Sequence, residues 1–400
     1  MRNDFTPYDA IVLLSFGGPE SAEEVVPFLE RVTAGRNIPR ERLVEVGEHY
    51  FARGGVSPIN QLCRDLLDAL RGELDGRGAD DLPLYWGNRN SEPFLPDTLA
   101  RVAADGHRRV AVVTTSAYPS YSSCRQYREN LAAALPSDTE ADDAGLQVDR
   151  IRQYANHPGF VNANADRVLA ALDELPRPSE SHGSDLQGDP HGSETEPTRL
   201  VFVTHSIPTQ MAITSGPDHA ANAVGESADE QEDDQEGAYG RWHRDVAEAI
   251  AGIVAERTGQ RPDWDLTYCS RSGSPRTPWL EPDVNDHLET LAQQGIRRVV
   301  LAPIGFTSDH MEVVHDLDTE ALATAERVGI TAVRAGTAGT HPDFVAALVD
   351  LVAERAAVAR GEQPDVEVVD GTSPGLWTCP GTCCPNSRHP QTPTLCGPTP

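Results

Sequence analysis

The sequence predicts an α/β protein built from two doubly wound parallel-sheet domains. Three observations carry this reading. Short apolar runs alternate with longer amphipathic segments along most of the chain. The first apolar run ends in a glycine turn, Phe16-Gly17-Gly18-Pro19, before a helix-like segment. At 400 residues, the chain also exceeds what one core comfortably holds.

The elements follow in order. Residues 9–15 (DAIVLLS) form a buried strand, and SAEEVVPFLERV reads as the helix after its turn. Residues 82–87 and 109–115 are strands, with helices at 60–74 and 94–104. A second set of strands follows at 200–206, 264–270, 297–306 and 330–336. Helices at 160–174, 242–258, 283–295 and 309–327 alternate with them. Continuous apolar strands between helices imply parallel sheets covered on both faces. The expected domains are residues 8–155 and 156–340, with a last helix at 342–360 packing back on the first. Residues 176–198 and 225–238 hold almost no apolar side chains and are expected to be disordered or solvated insertions. The tail, 361–400, is Pro-rich and irregular yet carries four cysteines, so a metal is expected to tie it down.

Composition excludes several functions. Acidic residues number 62 against 33 basic ones, for a formal net charge of −29. This opposes nucleic-acid binding and docking on an anionic membrane by a polybasic patch. Every basic residue is Arg. Without Lys there is no P-loop lysine and no Schiff-base lysine. No run approaches the roughly 18 apolar residues of a membrane span, and the N-terminus lacks a signal-peptide layout. A cytoplasmic protein is expected. Seven cysteines without an export signal point to metal or redox chemistry rather than a disulfide framework.

Two segments carry candidate chemistry. His205 ends a strongly apolar strand, and the carboxyl ends of parallel strands are where α/β proteins build sites. The second segment runs from Thr307 to Glu320, where Ser308 or Asp309 caps a helix. Within it Glu312, Asp316 and Glu320 fall at i, i+4 and i+8, which places three carboxylates on one helix face about 6 Å apart. A solvated acidic face is the plain alternative. A like-charge row is easier to explain if it handles a cation or passes protons. Oxygen ligands and imidazole together suit a ferrous ion.

These residues resemble the ferrochelatases. HSIP at 205–208 is similar to their HSLP, and TSDHMEVVHDLD at 307–318 to their SDHxE…D segment. LLSFGGPES at 13–21, YFARGGVSPIN at 50–60 and the PWLEP within 270–284 resemble three further family motifs, all in family order. The resemblance covers roughly residues 9–360. It implies two Rossmann-like domains with the porphyrin cleft between them and a lyase of haem biosynthesis, with His205 and Glu312 flanking the macrocycle and Asp316 and Glu320 extending a path for metal or protons. It implies that the acidic helix contains a π-type turn. Phe16 stands where many bacterial relatives carry Tyr, so it would be a packing wall rather than an iron ligand. Arg53, Ser57 and Tyr127 lie in segments that contact porphyrin in the family.

Cys379, Cys383 and Cys384 lie in TCPGTCCP, and Cys124 in YPSYSSCRQYREN. Three clustered thiols and a distant one can complete the four-thiolate shell of an iron–sulfur cluster, with zinc as the rival. Some ferrochelatases, including actinobacterial ones, resemble this arrangement and bind a [2Fe-2S] cluster. Cys396 could replace one tail ligand, whereas Cys63 and Cys269 read as buried, unreactive thiols. The tail and the Lys-free composition look actinobacterial, which implies coproporphyrin III as substrate with ferrous iron. Protoporphyrin IX, a cobalt chelatase, a porphyrin carrier and an iron–sulfur electron carrier are the alternatives. A monomer is expected, with transient contact to neighbouring haem-pathway enzymes.

Overall fold

The structure, a computed structural model, describes residues 4–35, 38–135, 145–176, 197–217, 236–273 and 276–397. The chain forms two four-stranded parallel sheets. The first unit comprises β1 (Ala10–Ser15), α1 (Ala22–Val32), α2 (Arg40–Phe51), α3 (Ile59–Gly76), β2 (Leu84–Asn88), α4 (Leu95–Ala104), β3 (Arg109–Thr114), α5 (Gln126–Ala134) and β4 (Gln147–Arg150). A π turn, Tyr121–Arg125, precedes α5. The second comprises α6 (Pro158–Glu174), β5 (Thr198–His205), α7 (Thr209–Ile213), α8 (Gly237–Thr258), β6 (Trp264–Cys269), α9 (Val284–Gln293), β7 (Arg298–Ala302), α10 (Met311–His315), α11 (Leu322–Arg327) and β8 (Thr331–Arg334). A second π turn, Asp316–Ala321, joins α10 to α11. Helix α12 (Pro342–Ala359) follows.

The strand orders are β2-β1-β3-β4 and β6-β5-β7-β8, so each sheet repeats the other's layout. Each central strand is buried on both faces with period two. Ile11 and Leu13 of β1 join Leu200 and Phe202 of β5 in one large core, which also takes in α3, α6, α8 and α12. Ala10, Val12 and Leu14 face a second cluster with Leu95, Tyr127 and Leu131. Val201 and Val203 face a third with Leu288 and Leu317. Helix α12 lies against α3 and β3 of the first unit and against α6 of the second.

Several elements differ from the sequence reading. Strand β4 was not expected, because QVDR is short and carries two charges; it is an edge strand paired with β3 on one side. Helices α2 and α5 were also missed, since their polar faces hide the apolar period. Helix α8 starts at Gly237 rather than at 242 and absorbs the end of the acidic run. Of the two expected insertions, residues 177–196 and 225–235 lie outside the described residues. The 309–327 segment is not one regular helix but α10, a π turn and α11.

Arg152 and Glu354 join α12 to the first unit. Arg152 is fully buried and grips Glu354 through two bonds of 2.8 and 3.2 Å. Arg152 also donates to the Glu367 carbonyl, and Trp377 Nε1 donates to Glu354, so the tail depends on the same pair. Removing one partner of a buried pair leaves an uncompensated charge and costs about 3–5 kcal/mol. Arg152→Met is therefore expected to lower the urea midpoint clearly, and the paired Arg152→Met/Glu354→Leu variant to recover part of it.

Candidate metal and porphyrin site

Open parallel sheets bind ligands outside the carboxyl ends of their strands, where neighbouring connections leave in opposite directions. In the first sheet that point lies between β1 and β3, and in the second between β5 and β7. Phe16 follows β1, and the Tyr121–Arg125 π turn follows β3. His205 ends β5, and Glu312 follows β7. The candidate residues thus gather at the two switch points.

His205 is set on a tightly braced loop. The Ser206 hydroxyl donates to the Leu280 carbonyl at 2.8 Å, and Leu280 N–H donates to Ile207. The PWLEP segment therefore holds HSIP in place. At the neighbouring strand end, a Cβ on Gly305 would lie 2.1 Å from Thr204 Oγ1, so only glycine fits there. His205 Nδ1 bonds the Ser206 carbonyl. A carbonyl only accepts, so Nδ1 carries hydrogen and the neutral ring leaves Nε2 with a bare lone pair. That lone pair faces Glu312 Oε2 at 3.6 Å. Two acceptors facing each other call for a proton or a cation between them. A gap of 3.6 Å is too long for a hydrogen bond and suits a shared ion held by legs of about 2.1 Å. His310 Nδ1 lies 3.8 Å from the same carboxylate oxygen, and its proton affinity is lowered by burial.

Asp316 lies one turn further along. Burial, together with the neighbouring Glu312 and Glu320 charges, raises its pKa from 3.8 to about 6, against an opposing hydrogen bond from Ser270. Ser270 adopts a left-handed backbone (φ 62°), which orients that hydroxyl. His315, Asp316 and Glu320 bring their ligand atoms within 4.8 Å of one another. The π turn keeps these acids close while shifting them from the regular i, i+4, i+8 row.

The first unit covers this acid segment. Met311 packs among Val25, Phe28, Leu29, Leu43 and Tyr50 of α1 and α2. His49 stacks on His315 at 3.8 Å. Arg53 donates to Thr319 Oγ1 at 2.5 Å and to the Val314 carbonyl, so its guanidinium is engaged with the π turn. Phe16 stands edge-on to Phe28, with the Arg89 guanidinium 5.5 Å from its ring. Ser57 is buried beneath Gly18. Tyr127 is 4% exposed within the core, and Arg89 covers its ring at 4.5 Å. Tyr127 thus reaches a ligand only through Arg89. The sequence reading missed Arg89, Ser270, His310 and His49. Of these only His310, inside the SDH motif, carried a local signal.

The thiols also converge. All seven cysteines are free of disulfides. Cys379, Cys383 and Cys384 form one buried cluster, with Cys396 against it. Cys383 Sγ and Cys384 Sγ are 3.7 Å apart. The neighbouring Cys124 and Cys383 thiols, with Arg128 and Arg150 nearby, hold the Cys379 thiol pKa far down. The pKa values of Cys124 and Cys383 are pushed up by the same proximity. Arg150 Nη1 donates to Cys124 Sγ at 3.0 Å, and Gly216 N–H to Cys384 Sγ at 3.1 Å. Arg128 Nε and Arg150 Nε and Nη2 are buried without a hydrogen-bond partner among the described residues. Four buried sulfurs ringed by orphaned cationic donors fit an anionic, sulfur-rich metal group. Cys63 and Cys269 are buried elsewhere, their thiol pKa values raised chiefly by burial.

Two parallel doubly wound units, with a His–carboxylate pair and an acid row at their switch points, define a two-lobed α/β protein of the chelatase type. The ferrochelatase family profile matches residues 8–356. Proteins named coproporphyrin III ferrochelatase are similar over nearly the whole chain. The one from Streptomyces griseus is 51% identical, covering 97% of this chain and 96% of its own. That from Streptomyces coelicolor is also 51% identical, with the same coverage. That from Frankia alni is 46% identical, covering 96% of this chain and 88% of its own. The chain belongs to the ferrochelatase family. No helix among the described residues is long and apolar enough to cross a membrane.

Proposed function

We propose that this chain inserts ferrous iron into coproporphyrin III, yielding the iron porphyrin and two protons. The observation that supports this most is His205 Nε2 facing Glu312 Oε2 across 3.6 Å at the switch point of the second sheet. The names of the relatives support the substrate.

The macrocycle lies between the two switch points, with Phe16 as an apolar wall. Arg89, supported on Tyr127, meets its propionates, since charge-assisted bonds from Arg suit carboxylates, whereas Arg53 is engaged with the π turn and Ser57 is buried beneath Gly18. His205 and Glu312 accept the pyrrole protons and hold iron as it leaves water. Asp316 and Glu320 deliver the ion and carry protons away. Asp316 suits that role because its pKa of about 6 lets it take and release a proton near neutrality.

Cys124, Cys379, Cys383 and Cys384 would hold a [2Fe-2S] cluster, with Arg150 and Arg128 beside them offsetting its negative charge. When bound, the group supplies a rigid four-point tie and one-electron redox capacity. Zinc would need its four thiolates about 4 Å from one another, and among the described residues no three cysteine sulfurs lie within 4.8 Å of one another.

An anaerobic insertion assay tests the reaction, with Fe²⁺ offered to coproporphyrin III and separately to protoporphyrin IX. Faster insertion into coproporphyrin, abolished in His205→Ala, is the expected result. A preference for protoporphyrin would overturn the substrate, and no insertion into either would overturn the reaction. The rate should fall below about pH 6, as Asp316 gains a proton that an ordinary Asp would hold only near pH 4. Asp316→Asn should lose most of the activity and the Asp316 contribution to that limb.

A further inference from the structure

Behind His205 lies a set of polar atoms that the reaction above does not use. His243, on α8, is 0% exposed. Its Nδ1 lies 2.7 Å from the Tyr239 carbonyl and its Nε2 2.8 Å from Thr204 Oγ1. The carbonyl accepts, so Nδ1 carries the hydrogen and Nε2 accepts from the Thr204 hydroxyl. Tyr239 O–H in turn donates to the His205 carbonyl at 2.9 Å and touches Thr204 Oγ1 at 3.0 Å. Strand β5 and helix α8 are thereby tied together by two hydrogen bonds and a close oxygen contact at the residue that faces Glu312.

The same ring is registered against the opposite unit. It lies flat on Tyr118, with centroids 3.6 Å apart and planes 9° apart. Tyr118 follows β3, and its hydroxyl donates to the Ile304 carbonyl just beyond β7. A position that needed only packing would be filled more cheaply by an apolar side chain, because a buried polar ring must have its partners. Burial lowers the His243 pKa to about 3, so the ring stays neutral across the working range and acts as a fixed brace.

We propose that His243 is a positioning residue for His205, fixing its backbone through Thr204 and Tyr239 and referencing it to the first unit through Tyr118. This rests on the reading of His205 as the group that meets iron and the pyrrole protons. A misplacement of about 1 Å at a reacting group can cost on the order of 100-fold in rate.

The test uses the full-length protein. His243→Phe keeps the ring on Tyr118 and removes both hydrogen bonds. Tyr239→Phe removes only the hydroxyl that reaches His205. His243→Gln keeps an acceptor for Thr204. The first two should lower kcat about 10- to 100-fold with the porphyrin KM within about twofold, and His243→Gln should regain most of the loss. The double variant should be no worse than the poorer single, because both cut one chain of contacts. Unchanged kcat in His243→Phe and Tyr239→Phe, with only thermal stability reduced, would overturn the proposal. If His243→Phe does not fold, Tyr239→Phe decides alone. Insertion that survives in His205→Ala would instead overturn the underlying reading of the site, whatever the other variants do.

Discussion

Glu312→Gln is expected to lower iron insertion by about 10²- to 10⁴-fold while leaving porphyrin binding nearly intact. The amide has the shape of the carboxylate, so the cleft need not rearrange. It cannot accept a pyrrole proton, and it carries no charge to draw a dication out of water. Its N–H can also donate to the bare Nε2 of His205, which occupies the lone pair that iron or a proton would use. A second effect follows from charge. Glu312 is one of the groups that raise the Asp316 pKa. Neutralising it should move the acidic limb of the residual rate to lower pH. Stopped-flow rates with porphyrin fluorescence as the binding readout check both parts. A loss of less than about tenfold would remove Glu312 from the chemistry.

Cys379→Ser should have the largest effect on the tail. Cys379 sits between Cys124 and Cys383, so its removal breaks the link between the first unit and the C-terminal thiols. Without a metal group, the tail retains main-chain carbonyl bonds from Arg125, Arg128 and Arg152. Structural metals supply much of the folding free energy of the segments they close. The variant should lose iron and sulfide from the isolated protein, and a loss of about 3 kcal/mol would lower Tm by roughly 4 °C. Proteolysis should then cut near 361–397 first. Metal analysis of the parent separates the two occupants: two iron and two sulfide per chain support the cluster, whereas one zinc and no sulfide would replace it. An unchanged Tm and unchanged metal content in Cys379→Ser would sink the ligand assignment itself.

The sequence alone determined the architecture, because burial in a parallel sheet is written locally. The runs around Leu13 and Phe202 alternate their side chains between two cores. His205 and Glu312 were legible for the same reason: each lies in a short motif at a strand's carboxyl end. Tertiary structure alone decided how those residues behave. The proton affinity of Asp316 depends on Ser270, 46 residues away, and on burial. The partner of Cys124 is Arg150, on a strand whose own sequence hid it. Met311 is covered by α1 and α2, and His243 reaches His205 through a threonine, a tyrosine and the turn of a helix. Strand periodicity repeats every two residues and survives in the sequence. Desolvation and hydrogen-bond partnership depend on groups that only folding brings together.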